Sequence, residues 1–151
     1  LPVVPISSSH LRSRLEAGVV LDAVAGLGRF YAWTGTVVHG FQNGRKIGFP
    51  TANLEPQRAD KIVPRRGSYA TWAHIGGQRY AAMTNIGQRP TLDNGSRVTI
   101  ETHLLDFDAD LYGQQLKVEF VQRLRDERKF DNLNALKAQL NEDARQVRRY
   151  L

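Results

Sequence analysis

The sequence predicts a mainly β protein: an antiparallel sheet closed into a barrel, followed by one helix at the C-terminus. Short runs rich in Val, Thr and Tyr recur from Tyr31 to Leu124, with Gly- or Asn-bearing turns between them. Within the clearest of these runs apolar and polar residues alternate, the period of a strand with one buried face. Beyond Phe130 the apolar spacing changes to that of a helix. Short strands joined by turns leave open sheet edges, and closure removes them.

The elements follow in order. Ser8 or Ser9 can cap a helix carrying Leu11 and Leu15 at i,i+4 spacing, with Gly18 at its end. A second apolar stretch, Val19 to Leu27, stops at Gly26 and Gly28. Neither piece can bury its apolar face alone. Trp33 to His39 is a Thr- and Val-rich strand. Ser68 to Ile75 and Gln78 to Ile86 flank Gly76-Gly77, a two-residue hairpin signal. Asp93-Asn94-Gly95-Ser96 marks another turn. Val98, Ile100, Thr102 and Leu104 then alternate with Thr99, Glu101 and His103, which puts Glu101 on the face opposite the aliphatic side chains. Leu116, Val118, Phe120 and Leu124 extend the same logic to a further strand. Asp131 or Asn132 can cap the last helix, whose Leu133, Leu136, Leu140, Ala144, Val147 and Leu151 form one stripe facing the barrel. Tyr69, Trp72 and Phe120 are assigned to the core.

The 151 residues suffice for one domain with a core of its own. The net charge of +6 suits anionic partners. Arg123, Arg125, Arg128 and Lys129 are mixed with Glu119, Asp126 and Glu127, which argues against a stripe that tracks nucleic-acid phosphates. The absence of cysteine excludes disulfides and thiolate metal sites. No apolar run reaches membrane-spanning length and no signal peptide is visible at this N-terminus, so a cytoplasmic protein is expected. A start at Leu1 rather than Met is expected of a fragment. Nothing in the composition selects an oligomeric state.

The densest chemistry lies in Gly40-Phe41-Gln42-Asn43-Gly44-Arg45-Lys46-Ile47-Gly48-Phe49-Pro50-Thr51-Ala52-Asn53. Gly40, Gly44 and Gly48 let a backbone turn tightly and approach a ligand. Arg45 and Lys46 stand between them, ready to meet negative charge. Pro50 fixes the chain ahead of Thr51 and Asn53, whose hydroxyl and amide oxygens suit Mg²⁺. Glycines, cations and hard oxygens together describe a nucleoside-triphosphate site. The loop is not of the Walker type, because it lacks the Gly-Lys-Thr or Gly-Lys-Ser ending and enters no long helix. Asp106, Asp108 and Asp110 imitate the start of an EF-hand, but Leu111 and Lys117 occupy the positions of its Gly and Glu. The scattered His10, His39, His74 and His103 form no zinc motif, and no Gly-x-Ser-x-Gly elbow is present.

Gly48-Phe49-Pro50-Thr51-Ala52-Asn53 resembles the central motif of riboflavin kinases. Further blocks agree in the same order: Thr84-Asn85-Ile86-Gly87 with Arg89-Pro90-Thr91, then Glu101-Thr102-His103-Leu104-Leu105-Asp106-Phe107, then Asp110-Leu111-Tyr112-Gly113. The resemblance runs on through Leu124-Arg125 and Lys129-Phe130 into the last helix, covering Tyr31 to Leu151. It implies a Greek-key barrel that phosphorylates riboflavin with ATP to give FMN and ADP. By the same resemblance Thr51 and Asn53 carry the Mg²⁺ and phosphate contacts and Glu101 is the general base. Tyr112, Arg125 and Phe130 then belong to the flavin side. His103, two residues from Glu101 and on the same face, can assist the site and is read first as a spectator. Ser7-Ser8-Ser9-His10-Leu11-Arg12 resembles the motif that closes the adenylyltransferase domain of bacterial FAD synthetases, which implies such a domain upstream, with residues 1–28 as a linker remnant of it and residues 29–151 as the kinase domain. The alternative from another class is a non-catalytic basic barrel binding single-stranded nucleic acid, which needs aromatic residues interleaved with Lys and Arg on one exposed face.

Overall fold

The structure, a computed structural model, describes residues 12, 13, 16, 30–38, 51–56, 62–90, 92–93, 95–107 and 109–151. Six strands are present among them: β1 (Tyr31–Val38), β2 (Thr51–Pro56), β3 (Gly67–Ile75), β4 (Gln78–Pro90), β5 (Ser96–Leu104) and β6 (Gln115–Arg125), followed by the helix α1 (Leu133–Tyr150). Every pairing is antiparallel, and the order β1-β2-β5-β4-β3-β6 closes on itself. β3, β4 and β5 run as neighbours and β6 returns beside β3, which is the Greek key. The predicted barrel and terminal helix are both present.

β1 shows the simplest reading of sequence into structure. Its residues alternate strictly between buried and half-buried, with Tyr31, Trp33 and Val37 turned inward. Leu54, Ile86, Ile100, Leu104, Leu116, Val118 and Phe120 meet them in the barrel interior. Phe120 lies edge-on to Tyr69 with ring centroids 5.2 Å apart. The hairpin between β3 and β4 turns at Gly76 and Gly77, with φ of 57° and 84°, the paired left-handed conformations of a type I′ turn.

Some expectations need correction. Trp72 is not in the core: it faces outward, half-buried, with the Arg79 guanidinium 4.1 Å above its ring, because β3 alternates and Tyr69 and Ala73 take the inner face. Leu124 does not continue the inward row of β6. The register against β3 slips between Ser68 and Tyr69 and between Ala70 and Thr71, and these irregularities turn Leu124 to the helix side. β2 was not foreseen; its strand character comes from pairing with β1 and β5 on either side.

α1 lies against the outside of the barrel. Leu140, Ala144 and Val147 pack on Ala70, Met83 and Leu105, with Leu136 and Leu151 partly buried beside them. Leu133, expected on the stripe, is exposed in the first turn. Asn132 is the cap: its side chain accepts from the Ala135 N–H at 2.8 Å. Arg148 and Arg149 occupy the last turn, where the helix dipole favours positive charge. Arg12, Ser13 and Glu16 are helical, and the rest of the predicted N-terminal helix lies outside the described residues. Among the described residues no helix is long and apolar enough to cross a membrane.

Candidate active site

Pairing of the strands assembles a polar face on the outside of the barrel. Asn53 on β2, Glu101 on β5, Asn85 on β4 and Ser68 on β3 are partners in succession across four strands. Directly paired residues share a face, so these side chains form one outward row. Thr51, His103, Met83 and Ala70 form the next row. The opposite face carries Thr102 and Thr84 inward, bonded hydroxyl to hydroxyl at 3.0 Å and completely buried. Glu101 therefore stands on the face away from the core, as its place in the alternation predicts.

Over this face the loop after β6 and the helix α1 close a cavity of about 470 Å³. Glu101, His103, Asn85 and Ser68 are on its sheet side, Arg125 is at the end of β6, and Glu127 and Phe130 are among its loop residues. Arg125 holds loop to helix. Its Nε donates to Asp143 Oδ1 at 3.0 Å and its Nη2 to Asp143 Oδ2 at 2.8 Å, a bidentate pair. Asp143 is 3% exposed, and Gln139 Nε2 donates to the same carboxylate at 3.0 Å. Its charge is therefore met on two sides. The Phe130 ring lies 5.9 Å from the Arg125 guanidinium and 5.4 Å from that of Arg128. Arg123 anchors the root of the loop by donating to the Arg66 carbonyl and to Asp126, each at 2.7 Å. That bond to Arg123 holds the Asp126 carboxyl below the usual carboxylate range.

Gly87 permits one further approach. A Cβ there would lie 2.7 Å from Glu127 Oε1 and 3.1 Å from Thr99 Oγ1, so the bare backbone lets Glu127 reach across to the sheet.

Thr51 and Asn53 sit two residues apart on β2 and share the outward face, Asn53 opposite Glu101 and Thr51 opposite His103. Thr51 Oγ1 is 3.0 Å from His103 Nδ1. One hydroxyl and one amide oxygen are hard donors of the kind that suits Mg²⁺. Among the described residues no cluster of three His, Asp or Glu offers an all-protein metal cage. Of the three aspartates, Asp110 Oδ1 accepts from the Tyr112 N–H at 3.0 Å and Asp106 pairs with Arg148, while Asp108 lies outside the described residues.

Of the residues singled out in the sequence, Glu101, Arg125 and Phe130 line one cavity, and Thr51 and Asn53 lie on the strand beside Glu101. Tyr112 is exposed and stands apart from the cavity lining, in a turn where the Gly113 N–H donates to the Val37 carbonyl at the end of β1. Gly40, Gly44, Arg45, Lys46, Gly48 and Pro50 lie outside the described residues. Asp143 and Glu127 were missed. Asp143 had a signal, since it lies three residues after Leu140 and four before Val147, a carboxylate on an apolar stripe that calls for a buried partner.

Residues 27–151 match the model of the Flavokinase family, described as riboflavin kinase. The chain is 40% identical over 147 residues to the bifunctional riboflavin kinase/FMN adenylyltransferase of Bacillus subtilis, covering 96% of this chain and 46% of that protein. It superposes over 100% of its length on a crystal structure described as a macrolide-efflux protein from Streptococcus pneumoniae, with a TM-score of 0.91, 35% identity and 51% of that chain covered. It also matches riboflavin kinase from Trypanosoma brucei with a TM-score of 0.53 and 25% identity, over 80% of this chain and 78% of that one. None of these three is described as binding nucleic acid.

Proposed function

The chain belongs to the riboflavin kinase family, and on that premise we propose that it transfers the γ-phosphate of ATP to the 5′-hydroxyl of riboflavin, giving FMN and ADP. The observation that carries the reading is the placement of Glu101 at a cavity wall, directly opposite Asn53 and next in the sheet to the Thr51 strand. Phosphoryl transfer needs little covalent help from a protein and much positioning. Glu101 accepts the proton of the attacking hydroxyl from a strand paired on both edges, so its carboxylate is held where the hydroxyl arrives. Bound Mg²⁺ neutralises charge on the phosphates, and Thr51 and Asn53 would be its protein ligands. The glycine loop, with Gly40, Gly44, Gly48 and Pro50, would cover the phosphates, and Arg45 and Lys46 would balance their charge. Arg125 and Phe130 would form the flavin wall, and Tyr112, which stands apart from the cavity lining, is assigned to the flavin by the family resemblance alone.

The chain spans about half the length of the curated relative it matches, 46% of the Bacillus protein. An upstream adenylyltransferase domain that converts FMN to FAD belongs to the proposal, with residues 1–28 as the connection and 29–151 as the kinase domain. The family match over residues 27–151 supports that division. A cytoplasmic location fits a kinase that draws on ATP. The test is incubation of the chain with riboflavin, ATP and Mg²⁺, followed by chromatography for FMN. No FMN from a folded preparation would overturn the reading.

A further inference from the structure

We propose that His103 is a positioning residue for the nucleotide site: its Nδ1 accepts the Thr51 hydroxyl proton and so aims the Thr51 oxygen at the metal. The proposal rests on the reading of Thr51 as a Mg²⁺ ligand. Thr51 and His103 are directly paired across β2 and β5, with Oγ1 and Nδ1 3.0 Å apart. β5 is paired on both edges, so the imidazole is presented from a fixed backbone. His103 is 7% exposed, and a buried ring nitrogen must be hydrogen-bonded to offset its lost hydration.

The chemistry follows from what a hydroxyl can do. Threonine Oγ carries one proton and two lone pairs, and only a lone pair can ligate a cation. A rotating hydroxyl points its proton toward the metal for part of the time. A neutral imidazole with its proton on Nε2 presents Nδ1 as an acceptor and removes that rotor state. The Thr51 hydroxyl proton is then turned toward His103 and away from the metal. The reverse arrangement, Nδ1–H donating to Thr51, occupies a lone pair and frees the hydroxyl proton to face the cation. Outer partners of this kind are typically worth on the order of 10–100-fold in metal affinity.

The experiment measures ADP affinity by calorimetry with and without Mg²⁺ at pH 8 in the parent, His103→Leu, His103→Asn and Thr51→Ala, with melting temperatures recorded alongside. Leucine removes the acceptor, whereas the asparagine Oδ1 takes the place of Nδ1. The expected result is that His103→Leu and Thr51→Ala each lose the Mg²⁺ enhancement on the order of 10–100-fold, while His103→Asn keeps most of it. Parental enhancement in His103→Leu overturns the proposal, as does a loss in His103→Asn as complete as in the leucine variant. Parental enhancement in Thr51→Ala instead overturns the ligand reading beneath it. The ¹⁵N chemical shifts of the His103 ring in the metal-free parent give a readout independent of any variant's folding. A bare Nδ1 supports the assignment, and a protonated Nδ1 at pH 8 overturns it.

Discussion

Asn53 and Glu101 face each other directly across β2 and β5, and Asn85 stands opposite Glu101 on its other edge. The candidate metal ligand and the candidate base are therefore rungs of one ladder. Their separation is set by strand pairing rather than by a loop, so phosphate and hydroxyl can be presented at a distance that does not drift. A carboxylate placed in this way is useful for its position more than for its basicity.

Glu101→Gln keeps shape and polarity and loses the capacity to accept a proton. The expected outcome is a fall in kcat of about 10²–10⁴, with substrate affinities close to parental. Stability should change by no more than about 0.5 kcal/mol at this partly exposed site. Steady-state kinetics and thermal melting in one preparation check both. Near-parental kcat would make Glu101 an ordinary strand carboxylate.

Asp143→Ala leaves Arg125 without its buried partner and removes the bond from Gln139. Breaking such a pair from one side costs roughly 2–4 kcal/mol, discounted here because Arg125 keeps some contact with water. Tm should fall by about 5–15 °C. The tether of the loop to α1 is lost as well, so riboflavin affinity should weaken more than ATP affinity. Calorimetry for both ligands separates this outcome from general unfolding.

Gly87→Ala places a methyl group against the end of the Glu127 side chain and the Thr99 hydroxyl. Glu127 is flexible and swings away, so Tm should move by less than about 4 °C, roughly 1 kcal/mol for a domain of this size. Where Glu127 goes, the cavity wall goes with it, and KM for riboflavin is expected to rise with kcat little changed. An unaltered KM would show that Glu127 does not shape the flavin end.

Burial pushes the Tyr31 phenol up to about 12, against a smaller downward pull from Arg12, and burial raises Tyr69 as well. Below the ordinary tyrosine value near 10 these phenols are neutral in both states and contribute no pH dependence. Above it the unfolded chain releases protons that the folded chain retains, so stability falls from pH 10 toward 12. Tyr31→Phe should melt lower at pH 8, since the phenol donates to the Ile62 carbonyl, a bond worth about 1 kcal/mol. It should also decline less steeply above pH 10. Parallel melting curves for parent and variant across that range would remove Tyr31 as the cause.

Much of this protein was legible in its letters because local constraints wrote it. The Gly76-Gly77 hairpin, the alternation in β5 that turns Glu101 outward, and the helical stripe of α1 each depend on neighbours close in the chain. The resemblance of the Gly48–Asn53 block to riboflavin kinases was equally a matter of adjacent residues. Tertiary structure decided what lies between distant segments. β2 is a strand because β1 and β5 flank it, although the segment carries Asn53 and ends at Pro56. Trp72 faces outward and Leu124 turns to the helix because barrel closure and the irregularities of β6 assign their faces. His103, read from sequence as a spectator, meets Thr51 across 52 residues of chain, and Asp143 finds Arg125 across 18. A hydrogen bond between such residues has no period and no spacing to announce it; only the register that closes the barrel brings their atoms within reach.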